Sequence, residues 1–162
     1  FKILDAVMSV NDSQKVSLVE KIKLFYQNDL SNKVFGIWGL SFKPETDDVR
    51  EAPSLYITKE LARLGVKMKA YDPEAIESFK GSIDDETSNA IEFVSTRDAA
   101  LEDVDALIIC TEWNEFRRPD INRFPHIMKS PNVFDGRNLY DLEDAQTAGL
   151  NYISVGRPSV YV

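Results

Sequence analysis

Apolar positions recur at helical spacing at the start of the chain and change to short, dense runs after Lys33. Ile3, Val7 and Val10, then Val19, Ile22 and Phe25, trace one face of a long amphipathic helix over about residues 3–28. Asn28-Asp29 and Ser31-Asn32 supply its break. Two uses of that face stay open: it caps the domain that follows, or it meets another subunit or domain. Beyond Lys33, strands are predicted at 34–38, 66–71, 91–94, 106–110, 133–134 and 152–155, with helices at 53–64, 95–102, 121–128 and 142–148. Pro53 suits a first helical turn, Ser95 and Asp141 suit N-caps, and Gly65 and Gly149 stand where helices end. Strands alternating with helices specify an α/β fold: a doubly wound parallel sheet of about six strands behind a long N-terminal helix. Such folds bind ligands at the carboxyl ends of their strands, near the switch in strand order. The segments after strands one, four and five therefore carry the functional question.

Composition narrows the answer. With 162 residues, 43% of them hydrophobic and 28% charged, the chain is the size and make-up of one folded domain. Its net charge of -8 disfavours nucleic acid and anionic membrane surfaces, yet a local pair of cations can still hold a small anion. No apolar run has the roughly 18 residues of a membrane span. The single cysteine, Cys110, excludes a disulfide framework and fits a cytoplasmic protein. The chain opens on Phe1 without an initiator Met and reads as a piece of a longer protein.

After strand one runs the charged connection Gly39-Leu40-Ser41-Phe42-Lys43, continuing to Pro53, in which Lys43 and Arg50 bracket a series of carboxylates. It lacks the G-x-G-x-x-G spacing of a dinucleotide loop, and it is either a solvated loop or a setting for positioned cations. After strand five, Arg137 follows Gly136; it either meets phosphate or sugar oxygens with its planar fork or pairs with Asp135 or Asp141. Cys110 closes an apolar strand with no histidine near it and reads as structural. Trp113 and Phe116 are suited to covering the sheet edge. His126 lies away from these edges, Arg117-Arg118 reads as solvated, and no spacing suggests a metal site.

Four ordered motifs then carry a resemblance across the chain after Lys33: GLSFKPETDDVREAP at 39–53, AYDP at 70–73, CTEW at 110–113 and DGRN at 135–138. They resemble the UDP-glucose/GDP-mannose dehydrogenase family, whose signature GxxFKxxTxDxRExP the first one matches. The opening segment, with Val10-Asn11 and Gln14-Lys15, resembles the end of that family's central dimerisation helix, which divides the chain into residues 1–30 and a UDP-sugar-binding domain at 31–162. The resemblance implies a Rossmann-like, cytoplasmic enzyme that oxidises UDP-glucose to UDP-glucuronate with NAD, and CTEW and DGRN favour UDP-glucose over GDP-mannose or UDP-N-acetylmannosamine. It implies UDP-sugar contacts at Phe42, Lys43 and Arg137, and a contact to NAD at Arg50. Catalytic residues are expected to be none here, since the family's nucleophilic cysteine precedes the central helix; Cys110 is not that cysteine. The implied partners are UDP-glucose, the enzyme's own NAD-binding domain and a second copy through the long helix, whose face at Val19, Ile22 and Phe25 is expected to lie open. The fragment alone is expected to be incompetent for the reaction. Two readings from other classes are a receiver-like regulatory module and a free-standing nucleotide-binding adaptor. The absence of an Asp pair after strand one, with Lys43 and Arg50 there instead, argues against the first, and the non-Met start against the second.

Overall fold

The structure, a computed structural model, describes residues 2–162, and of residues 6–12 the backbone alone. Val7, Val10 and Asn11 of the expected helix pattern therefore lie outside the described side chains.

Helix α1 spans Lys2–Phe25. It stops where Gln27 and Asn28 turn to φ of 52° and 62°, a left-handed exit that asparagine tolerates better than most residues. Six strands follow: β1 Val34–Trp38, β2 Lys67–Tyr71, β3 Ile91–Phe93, β4 Ala106–Ile109, β5 Asn132–Asp135 and β6 Asn151–Ser154. They form one sheet in the order β3-β2-β1-β4-β5-β6, every pair parallel. The chain winds outward from β1 to β3, returns to β4 beside β1, and winds outward again. That reversal leaves a crevice beyond the carboxyl ends of β1 and β4. All four residues of β4 and of β5 are buried, as expected for strands covered on both faces.

One cover is α1 itself. Leu18, Val19 and Ile22 are buried in the same core as Phe35, Ile57 and Phe134, and Phe25 meets Phe134 edge-on with ring centroids 5.5 Å apart. The open face expected at Val19, Ile22 and Phe25 is thus corrected. A parallel sheet has two apolar faces to hide, and α1 supplies part of the covering for one of them.

Helix α2, Pro53–Arg63, begins on its proline and ends before Gly65 at φ 82°. The helix expected at 95–102 is absent, and Ser95 caps nothing. That segment is a series of turns because its backbone carbonyls are engaged elsewhere. Arg97 O accepts from Trp38 Nε1 at 2.9 Å, and Glu102 O accepts from Lys69 Nζ at 2.7 Å. Short helices missed by periodicity are α3 Ile76–Lys80, α4 Asp85–Ala90 and α5 Asn114–Arg117, each too brief to show a repeat. The expected helix at 121–128 splits into a 3-10 turn, Ile121–Arg123, and α6, Phe124–Ile127. Pro125 has no amide to continue a ladder through that junction. Helix α7, Leu142–Thr147, is capped by Asp141, whose carboxylate accepts from Glu143 N at 2.8 Å.

Candidate functional site

A cleft of about 540 Å³ opens at the carboxyl edge of β1, β4 and β5. Phe42 and Lys43 line it from the segment after β1, Cys110 and Glu112 from the end of β4, and Gly136 and Arg137 from the end of β5. Leu18 of α1 and Ile57 of α2 supply apolar walls. Three of the four candidate residues, Phe42, Lys43 and Arg137, are therefore brought together across 95 positions of sequence.

The loop after β5 is held by a buried carboxylate. Asp135 Oδ1 accepts from the amide of Arg137 at 2.7 Å, and Oδ2 accepts from the amide of Leu139 and from the Tyr152 hydroxyl, both at 2.7 Å. Burial raises the Asp135 carboxyl above the usual range, and these hydrogen bonds oppose the shift. Tyr152 in turn accepts from Arg157 Nη2 at 3.0 Å. Gly136 is required for closeness: its amide donates to Ile109 O at 3.0 Å, and an added Cβ would stand 3.1 Å from that same oxygen.

Arg137 does not pair with Asp135 or Asp141 through its side chain. Its Nε donates to Cys110 O at 2.9 Å and lies 3.1 Å from Glu112 Oε2, while Nη2 reaches Phe42 O at 3.4 Å. Because the Nε hydrogen is directed at Cys110 O, Glu112 Oε2 is buried beside the guanidinium without a hydrogen bond of good geometry. Lys43 Nζ stands 5.6 Å from the centre of the Phe42 ring, within cation–π range. The arrangement offers a guanidinium fork held in place, an exposed ammonium and an aromatic wall, which suits an anionic ligand with a flat or apolar part.

Arg50 is elsewhere. Its side chain is 86% exposed and bound in a fork by Asp48, with Nε–Oδ1 at 3.0 Å and Nη2–Oδ2 at 2.8 Å. Those hydrogen bonds hold the Asp48 carboxyl down to about 2. Arg50 lines a separate hollow with Asp47, Ser78 and Ser82.

Four polar residues of the cleft, Gln14, Lys15, Glu51 and Glu112, are not among the site residues expected from the sequence. Glu112 enters the sequence analysis only as part of CTEW. Lys15 lines the cleft from α1, with Nζ 3.4 Å from Glu51 Oε2. Its signal was available: Lys15 precedes Leu18, Val19 and Ile22 at spacings that share a helix face. Cys110 is buried, and burial pushes its thiol up to about 12, which makes it a structural thiol and no nucleophile. His126 sits on α6, outside the cleft residues. Among the described residues no cluster of His, Cys, Asp and Glu could hold a metal ion, and no helix is long and apolar enough to cross a membrane.

Fold and cleft together define a ligand-binding α/β domain of the doubly wound type. Residues 36–142 match the UDP binding domain of the UDP-glucose/GDP-mannose dehydrogenase family, and the chain belongs to that family. It is 39% identical over 160 residues to UDP-glucose 6-dehydrogenase TuaD of Bacillus subtilis (strain 168), an alignment covering 99% of this chain and 34% of that enzyme. It is 38% identical over 158 residues to UDP-glucose 6-dehydrogenase of Pseudomonas aeruginosa, covering 97% of this chain and 35% of the relative. Among solved structures, a UDP-glucose dehydrogenase from the archaeon Pyrobaculum islandicum superposes with a TM-score of 0.75 at 27% identity, over 95% of this chain and 32% of that one. The chain thus spans about a third of the length of these relatives.

Proposed function

We propose that this chain is the substrate-binding portion of an NAD-dependent, cytoplasmic UDP-glucose 6-dehydrogenase, with residues 31–162 forming the UDP-sugar domain and residues 1–30 the end of the central helix. The observation that carries the reading is the convergence of Phe42, Lys43 and Arg137 on one cleft at the switch point of the sheet. Arg137 presents its fork to the diphosphate or sugar oxygens, Lys43 adds a point charge, and Phe42 forms an apolar wall. A nicotinamide dinucleotide does not fit the turn after β1. The Leu40 and Ser41 amides there already donate to Asp72, and a Cβ at Gly39 would stand 2.5 Å from Thr111 Cβ. NAD is assigned instead to the part of the enzyme that this chain does not span, with exposed Arg50 reaching its pyrophosphate from a separate face. The chain by itself binds substrate without turning it over.

Calorimetric titration tests the reading. UDP and UDP-glucose are expected to bind the chain one to one, and GDP more weakly. A chain that takes up neither uridine nucleotide would refute it.

The same reading includes a second copy at α1. Among the described side chains of α1, Ile3, Leu4, Val16 and Leu24 are apolar and exposed, the first 83% and the last 80%. Sedimentation is expected to show a dimer that Leu24→Glu dissociates, and a wild-type chain that stays monomeric at high concentration removes this part.

A further inference from the structure

One buried carboxylate ties both walls of the cleft together. Asp72 follows the last residue of β2 and is 2% exposed. Its Oδ2 accepts from the amides of Leu40 at 2.7 Å and Ser41 at 3.1 Å, from the Ser41 hydroxyl at 3.3 Å, and from Trp113 Nε1 at 3.1 Å. Its Oδ1 accepts from the amides of Glu74 at 2.9 Å and Ala75 at 2.8 Å. All of these donors are neutral. A carboxylate has about four lone-pair positions, so this one is saturated without a cation.

The remaining backbone groups of the same turn are also fixed. Leu40 O accepts from the Ser54 hydroxyl at 2.7 Å, and Ser41 O accepts from the Thr111 hydroxyl at 2.6 Å. The residue immediately before Phe42 and Lys43 therefore has its amide, carbonyl and hydroxyl all engaged. On the other wall, Trp113 directly follows Glu112, the carboxylate that faces Arg137. Its indole N–H ends on the same Asp72 oxygen that holds Leu40 and Ser41.

We propose that Asp72 is the positioning residue of the nucleotide-sugar site, setting the Phe42–Lys43 wall and the Glu112–Arg137 wall in register through one shared carboxylate. The proposal rests on the reading of the cleft as that site. Asp72 itself contacts no ligand; it acts through Leu40, Ser41 and Trp113. A charge-assisted bond of this kind contributes more than a neutral one, so removing a single donor loosens the junction without erasing the fold.

The experiment combines residue-resolved amide exchange with UDP titration of the 162-residue chain. Three variants are compared with wild type: Asp72→Asn, Trp113→Phe and Ser41→Ala. Asp72→Asn turns an amide N–H toward N–H donors and is the most severe. Should it fail to fold, Trp113→Phe, which keeps the ring packing and loses one donor, and Ser41→Ala carry the test. The expected result is exchange about ten-fold faster at Leu40, Ser41 and Phe42, with UDP affinity weakened about ten-fold, while amides of Phe35 and Ile108 keep their wild-type rates. Acceleration spread evenly over the sheet with affinity retained overturns the proposal, as does an unchanged rate at those three amides. A wild-type chain that binds no UDP would sink the reading of the cleft by itself, and the exchange pattern would still decide whether Asp72 fixes the turn.

Discussion

Replacing Arg137 with alanine is expected to weaken UDP binding by about 10- to 150-fold, the equivalent of about 1.5–3 kcal/mol for a hydrogen-bonded charged group. The Arg137 side chain is 30% exposed, and its guanidinium is held by Cys110 O and Phe42 O. It meets a ligand with little rotational freedom left to lose. Lys43→Ala is expected to cost less, roughly five-fold, because its ammonium is exposed and screened by water. The two losses are expected to fall short of additivity, since both groups address one ligand. Arg117→Ala, which removes an exposed cation outside the cleft, serves as the control. Titration calorimetry gives the comparison directly. Wild-type affinity in Arg137→Ala would show that the guanidinium serves only its contacts within the protein and has no part in binding.

The second large effect is on stability. Gly36 lies in the middle of β1, paired on one side with Lys69 and on the other with Leu107. A Cβ there would run into the backbone carbonyl oxygen of Ala100, which cannot rotate aside as a side-chain tip can. Gly36→Val is therefore expected to cost about 3 kcal/mol or more, at the upper end of overpacking penalties. Against a typical domain stability of about 5–15 kcal/mol, that is a large share of the total. Chemical denaturation is expected to show the midpoint falling sharply. In Gly81→Ala, where the nearest neighbour to a new Cβ is Ser78 O at 3.6 Å, it is expected to stay near wild type. Equal midpoints for the two variants would mean that the turn at 97–103 yields, and that Gly36 is no fixed contact.

Contacts between the 97–103 turn and the strands mark where the sequence was legible and where it was not. Strands β1 and β4 announced themselves by short apolar runs, because strands covered on both faces need continuous hydrophobicity, whereas β2 showed itself by alternation, with Met68 and Ala70 buried between Lys67, Lys69 and Tyr71. Pro53, Gly65 and Asp141 marked helix ends through local chemistry that acts within a turn. The segment after β3 misled for the opposite reason. Ser95 through Glu102 has helical composition, but its conformation is set by Trp38 and Lys69, which reach its carbonyls from distant strands. Residues Val19, Ile22 and Phe25 showed that α1 has an apolar face without showing what covers it. For the site, the motifs named Phe42, Lys43 and Arg137, and the fold brought them together; Arg50 belongs to the same motif as Lys43 yet faces a different hollow. Asp72 was visible only as part of AYDP. Its partners Leu40, Ser41 and Trp113 lie 31 to 41 positions away, and no local pattern encodes them.

The pairing of Arg137 with Glu112 and of Lys15 with Glu51 has a consequence for how a ligand arrives. Two of the three cations that line the cleft present themselves with a carboxylate already at hand, in a molecule whose net charge is -8. The field that this surface projects into solvent is therefore weak or repulsive toward a dianion, and long-range attraction does little to gather ligand at the mouth of the cleft. Encounter then proceeds at the pace of ordinary diffusion. Discrimination comes only at contact, when donors held in place by Cys110 O and Phe42 O find acceptors at matching positions. On the proposed reading, such a cleft ignores anions in general and retains the few whose oxygens fit its geometry.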